Sequence, residues 1–328
     1  MQKIATKTLL IILFAVLLVQ SSTLLPVSAD SEKIYWEQGM NDKSPTDSVV
    51  DTPMVEWTTG AINQQNSILT EGNILPPYPP NIPGHINYRA IIEGLSAGTY
   101  EVTISYQFTK GGKVAFDFLT TNYGISDDNL QTNLPGSYKD TEKTKIATLI
   151  TNGPSTIQFP TDSFVLPDAL GAGIVSDRQD VHDSVFGAES RLMKIYGATI
   201  NSIVQGEHNG PITGDSHSSV TVRFTVPEDT SGFVILTWGA HLGIGTAAPT
   251  GYGSGNGAGS ISGGPFHIAL SDIIDTTTEK AVIKGSRDLA VLLKPALSVV
   301  PETPFAVAMM IAVGGAFVFY KRTQKRTD

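Results

Sequence analysis

From Thr99 to Thr109 polar and apolar side chains alternate without a break. Tyr100, Val102, Ile104, Tyr106 and Phe108 stand between Thr99, Glu101, Thr103, Ser105, Gln107 and Thr109. Period two puts the first set on one face of an extended chain and the second on the other, which predicts a half-buried strand. Lys110-Gly111-Gly112 supplies a turn, and Val114, Phe116 and Phe118 resume the alternation, so residues 99–120 are expected to form one long hairpin. Further strands are expected at Ile195–Val204, at Val220–Val226 with Val220, Val222, Phe224 and Val226 inward, and at Pro265–Leu270. Phe233–Trp238 is apolar almost throughout and predicts a central strand covered on both faces. No segment between 30 and 280 carries a sustained helical period beyond short turns near Asp183–Met193 and Lys284–Lys294.

Strands separated by Gly-rich turns, with no strand–helix–strand rhythm, predict an all-β fold: one antiparallel β-sandwich over residues 85–298. Residues 30–84 are rich in Pro, Asn, Thr and Ser and include Leu75-Pro76-Pro77-Tyr78-Pro79-Pro80. They read as an extended N-terminal segment with short strands near Val55–Thr58 and Ser67–Thr70.

The two ends have a different pattern. Residues 1–29 open with Lys3 and Lys7, continue as the apolar run Leu9–Val19 and close on Val27-Ser28-Ala29, the layout of a secretory signal peptide. Residues 304–320 carry no charge and are followed by Lys321, Arg322, Lys325 and Arg326. Seventeen residues reach about 25 Å as a helix, enough for a short membrane span, and the basic tail 321–328 holds the C-terminus on the cytoplasmic side. The expectation is a single-pass protein of the cell membrane whose sandwich lies outside the cell.

Composition sharpens this. The chain of 328 residues has no Cys, which removes disulfide staples, thiolate metal sites and cysteine nucleophiles. Residues 30–300 hold 16 Lys and Arg against 29 Asp and Glu, a net charge of −13. Such a field opposes nucleic acid, so no nucleic-acid partner is expected. No Asn-x-Ser/Thr occurs.

The residues before the apolar C-terminal run carry a resemblance. Val300-Pro301-Glu302-Thr303-Pro304, then the apolar run, then the basic tail, resembles the C-terminal sorting signals of prokaryotic surface proteins. The nearest pattern is the PEF-type signal of archaea, with residues 299–304 as linker and Pro301, Glu302 and Thr303 as the motif; Thr303 stands where Phe is expected. The resemblance implies an archaeal surface protein whose tail is processed by a membrane transpeptidase. Permanent anchoring by the helix is equally compatible. Gly94–Val102 is similar to the entry of Ig-like and prealbumin-like surface modules. Phe108–Lys113, Asp117–Thr120, Leu236–His241 and Ser260–His267 together resemble a domain recurring in exported, C-terminally anchored prokaryotic proteins, to which no activity attaches.

Candidate chemistry is sparse. Residues 243–264 contain nine Gly in 22 positions, which predicts a mobile or ligand-approaching loop. It is flanked by Trp238-Gly239-Ala240-His241 and Phe266-His267, so Trp238, His241, Tyr252 and His267 are candidates for a carbohydrate- or ion-binding surface. His241, His267 and Asp117 make a candidate transition-metal set; the alternative is that each histidine bonds backbone at a strand end. Asp177, Asp180 and Asp183, with Asp127-Asp128-Asn129, offer oxygen ligands for calcium, or are solvated loop acids and helix-capping acids. No HExxH occurs, and Ser216-His217, which no GxSxG surrounds, reads as a polar hairpin approach. The sequence therefore predicts a non-enzymatic envelope protein with a structural or adhesive role and no cofactor beyond an optional calcium ion. Its partners would be the membrane and surface-layer proteins or glycans. A carbohydrate- or metal-ion-binding module is the alternative, followed by an extracellular hydrolase.

Overall fold

The computed structural model describes residues 32–40, 56–59, 62–64, 85–122, 127–132, 134–228, 231–245, 251–262, 264–284 and 287–293. The expected signal peptide, the expected strand near Ser67–Thr70, the proline cluster, the sorting motif, the span 304–320 and the basic tail lie outside these. Among the described residues no helix is long and apolar enough to cross a membrane.

The strands in chain order are β1 Lys33–Met40, β2 Glu56–Thr58, β3 Ile62–Gln64, β4 His85–Glu93, β5 Gly98–Lys110, β6 Lys113–Val114, β7 Phe116–Thr120, β8 Ser155–Gln158, β9 Val165–Leu166 and β10 Gly173–Ile174. They continue as β11 Leu192–Tyr196, β12 Thr199–Gln205, β13 Ser216–Val226, β14 Phe233–Leu242, β15 Phe266–Leu270, β16 Ile273–Asp275, β17 Lys280–Ile283 and β18 Arg287–Leu293. The helices are α1 Asp127–Leu130, α2 Asp140–Thr151 and α3 Val175–Phe186.

The first sheet runs β2-β1-β4-β14-β11-β8, with β7 added beside β14. The second runs β12-β13-β5-β15-β18-β3, with β6, β16 and β17 at its margins. All described pairings are antiparallel except β18 with β3. The inward residues of β5 and β13 meet Trp36, Tyr88, Leu236 and Trp238 of the first sheet in one apolar core. The three aromatics of that set pack together with ring centres 5.0–5.9 Å apart, Tyr88 stacked on both tryptophans. β14 is buried at all ten positions, as its apolar run predicts.

Four expectations are corrected. First, the sandwich begins before residue 85. Lys33–Gln38 pair with Tyr88–Glu93, because Ile34 and Trp36 supply the inward face of β1 while Tyr35 and Glu37 meet a second buried layer. Second, the hairpin after Gly111 and Gly112, both at positive φ, closes only over β6; at Phe116 the chain crosses to the first sheet and pairs with β14. Third, Ile195–Val204 is two strands. The turn Gly197-Ala198 sends β11 into the first sheet and β12 into the second, and Gly197 at φ 79° sits against the Phe233 carbonyl where a Cβ would collide. Fourth, two twelve-residue helices exist where turns or nothing was expected, and Lys284–Lys294 contains β18 in place of a helical turn.

The helices cover the outer face of the first sheet. Ile146 and Ile150, one turn apart on α2, pack with Ile91, Tyr196, Phe233 and Ile235. The Glu142 carboxylate accepts the Lys139 backbone N–H at 2.6 Å and closes the first turn of α2. On α3 the buried positions are Val175, Ser176, Arg178, Gln179 and His182. Its buried stripe is mostly polar, so it leaves no apolar period in the sequence.

Candidate functional site

β4 and β14 are buried on both faces, so the outward side chains of these central strands include polar groups held under the helices, beside the apolar Ile91, Phe233 and Ile235. One row begins at Arg89, whose Nε and Nη2 donate to Glu37 Oε2 at 2.8 and 2.5 Å and whose Nη1 donates to the Leu130 and Thr132 carbonyls. Burial raises the Glu37 pKa and lowers that of Arg89; in each the lost hydration outweighs the attraction of the partner. The guanidinium also lies 4.5 Å from the centre of the Trp57 ring.

At the other end of the same face, register places His85 directly opposite His241. A bulge where β7 meets β14, between Ala240 and Leu242, brings Asp117 beside them. The fully buried Asp117 accepts three hydrogen bonds: His241 Nδ1 at 2.5 Å, the Phe118 backbone N–H at 3.0 Å and the Tyr252 hydroxyl at 3.1 Å. A carboxylate only accepts, so Nδ1 of His241 carries a proton and Nε2 is the ring nitrogen left to meet another group. That Nε2 is buried without a hydrogen-bond partner. Phe118 stacks flat on His241 at 4.5 Å.

The third imidazole comes from α3. His182 stands 5.5 Å from His241 between ring centres, with the planes at 82°. Ser190 donates its hydroxyl to Asp183 at 2.9 Å, so its oxygen accepts the Nδ1–H of His182 at 3.2 Å. His182 Nε2 is likewise buried and unpartnered. Arg191 donates twice to Asp183 at 3.0 Å through Nε. Burial alone would raise the Asp183 pKa, but the hydrogen bonds from His182, Arg191 and Ser190, with the Arg191 charge, hold it at about 2. Burial lowers the pKa of His85 strongly, helped by His182 and His241, and lowers that of His182, so both rings are neutral at pH 7. A cavity of about 190 Å³ lined by His85, Thr121, Asn122, His182, Phe186, Glu189 and Ser190 opens beside the cluster.

A second recess lies on the outer face of the second sheet, with a volume of about 420 Å³ and a lining of Ser105, Gln107, Lys110, Asp215, His217, His267, Ala269 and Asp288. His267 Nδ1 stands 2.8 Å from Asp288 Oδ2, both side chains partly exposed. Asp215 Oδ1 accepts the Gly111 N–H at 2.8 Å and ties the hairpin turn to the next strand.

The candidates read from sequence are thus divided. Trp238 is fully buried in the aromatic core, and Tyr252 is fully buried on Asp117, with Arg178 5.1 Å from its ring centre; neither offers a binding surface. His241 and Asp117 meet as expected, whereas His267 stands on the other sheet and does not join them. Asp177 accepts the Ile174 N–H at 3.1 Å at the start of α3, Asp180 is exposed and Asp183 pairs with Arg191. These three are therefore helix and ion-pair acids with no shared ion position. Asp128 is exposed on α1. Among the described residues no three His, Asp or Glu groups stand ready in ion-holding geometry. The described part of the Gly-rich stretch is pinned down: Arg178 donates to Gly251 O, and Asn256 donates to Ala169 O and Tyr252 O while its carbonyl accepts the Val114 N–H. His85 and His182 were not singled out by sequence, because their neighbours are fixed by strand register and by a helix whose buried face is polar.

Compared with family models, curated proteins and solved structures, the chain matches none of them.

Proposed function

We propose that this is a non-enzymatic surface protein of the cell envelope, exported by its N-terminal segment, held by its C-terminal helix and serving an adhesive or structural role. The observation that carries the reading is the recess on the second sheet. Its donors and acceptors stand on or beside β5, β13, β15 and β18, a rigid frame that positions them for a polar partner. Among the described residues the lining has no Phe, Tyr or Trp platform for a sugar ring, which favours a polar envelope protein or a charged polysaccharide over a stacked glycan. The signal-like start, the acidic domain and the sorting-like tail support placement outside the membrane.

Two measurements test it. Antibodies against the sandwich are expected to label intact cells; labelling only after lysis overturns the placement. The full chain in detergent is expected to co-sediment with isolated envelopes, and the double variant His267→Ala, Asp288→Ala to lose this while keeping its circular dichroism. Equal sedimentation of the two overturns the recess as the contact.

A further inference from the structure

Among the described residues two buried imidazoles, His182 and His241, present unpartnered Nε2 atoms while a neighbour occupies each Nδ1, Asp117 for His241 and Ser190 for His182. A buried nitrogen with no partner is costly, and a protein interior retains few of them. Metal-ligating histidines have this same arrangement: an outer carboxylate or hydroxyl fixes the tautomer and the ring, and the other nitrogen faces the ion. The spacing fits as well. Two imidazoles sharing a tetrahedral ion through Nε2 at about 2.0–2.1 Å have ring centres roughly 5 Å apart, and His182 and His241 stand 5.5 Å apart with crossed planes.

We propose that His182 and His241, with His85 as third ligand, form a binding site for a divalent first-row transition ion such as Zn²⁺. His85 is the cross-strand partner of His241 and shares with His182 the cavity of about 190 Å³. The three rings do not yet surround one point, so ion binding draws the His85 ring toward the other two. Neutral nitrogen ligands select a transition ion over Ca²⁺ or Mg²⁺, which demand oxygen. The cavity provides entry past Glu189 and Thr121. The site is independent of the recess on the second sheet, so either can fail alone.

The test uses the full chain, purified in detergent without a histidine tag, stripped with chelator and titrated with Co²⁺ alone. One Co²⁺ per chain with the ligand-field bands of a tetrahedral nitrogen site, displaced by Zn²⁺, is the expected result. His182→Gln and His241→Gln are expected to abolish uptake, Asp117→Asn to weaken it about 10–100-fold, and His267→Gln to leave it unchanged. Absence of uptake by the folded chain overturns the proposal, as does uptake that survives both His182→Gln and His241→Gln. Should those variants not fold, pulsed electron paramagnetic resonance of the Cu²⁺-loaded natural chain decides: coupling to the remote nitrogens of two or more imidazoles supports the site, and coupling to one or none overturns it.

Discussion

The outer faces of the two sheets both carry polar side chains and treat them in opposite ways. On the second sheet β13 alternates buried and accessible positions along its whole length, and its outward residues pair across the ladder in water. Thr99 meets Thr225 at 3.0 Å, Thr103 meets Thr221 at 3.0 Å, and Arg223 lies 3.7 Å from Glu101 with both half exposed. On the first sheet β4 and β14 bury the outward row as well, and Arg89 with Glu37 and His241 with Asp117 pair inside the protein. The lesson concerns cost. A polar group facing water can lose its partner and be rehydrated, whereas one under the helices keeps the full desolvation penalty when a partner goes.

The strongest way to break the contrast is Arg89→Leu, which strands the Glu37 carboxylate in the interior. It is expected to cost about 3–5 kcal/mol in a urea unfolding experiment, with much of the loss recovered by adding Glu37→Leu. A loss below about 1 kcal/mol would mean the buried row behaves like a surface pair.

Acid is the second lever. His85 and His182 have pKa values below the ordinary 6.5 when folded, so below that pH the unfolded chain binds protons that the folded chain refuses. Stability is therefore full above about pH 6.5 and falls as pH drops, by about 1.4 kcal/mol per pH unit for each histidine until its folded pKa is reached. Unfolding midpoints between pH 7 and 5 measure this, and His182→Gln is expected to flatten the slope. Asp183, held at about 2, keeps its own contribution until the pH falls below the ordinary carboxylate value near 3.8.

A smaller effect is expected from Asp117→Asn, which keeps the shape but removes the acceptor charge that His241 and Tyr252 share. The loss should be about 1–3 kcal/mol, read as a lower midpoint with an unchanged denaturant slope. Smallest of all, Thr103→Val on the second sheet should change stability by no more than about 0.5 kcal/mol. A loss as large as that of Asp117→Asn would erase the distinction between the faces.

Legibility in the sequence followed the same divide. β5, β13 and β14 could be read because their inward or continuous apolar pattern is a local property of the strand. The turn at Gly111 and Gly112 was visible for the same reason, since only a short stretch of backbone decides it. α3 was not visible, because Arg178, Gln179 and His182 fill its buried face in place of apolar residues. The crossing at Phe116 was hidden too, since a strand that changes sheets keeps its alternation. Trp238 and Tyr252 misled in a regular way: aromatic residues beside a Gly-rich stretch suit a binding loop and a packed core equally, and only burial separates the two.

By itself the sequence determined a mostly β chain with an inward apolar face on its long strands, an acidic stretch between basic ends, and the absence of any cysteine chemistry. The tertiary structure alone decided which polar residues meet. Asp117 and His241, 124 residues apart in the chain, touch because β7 leaves its hairpin and bulges against β14; His85 faces His241 by register, and His182 reaches them from a helix. Periodicity is written in neighbouring residues, but the pairing of distant ones depends on strand register and on what covers the sheet, which no local pattern encodes.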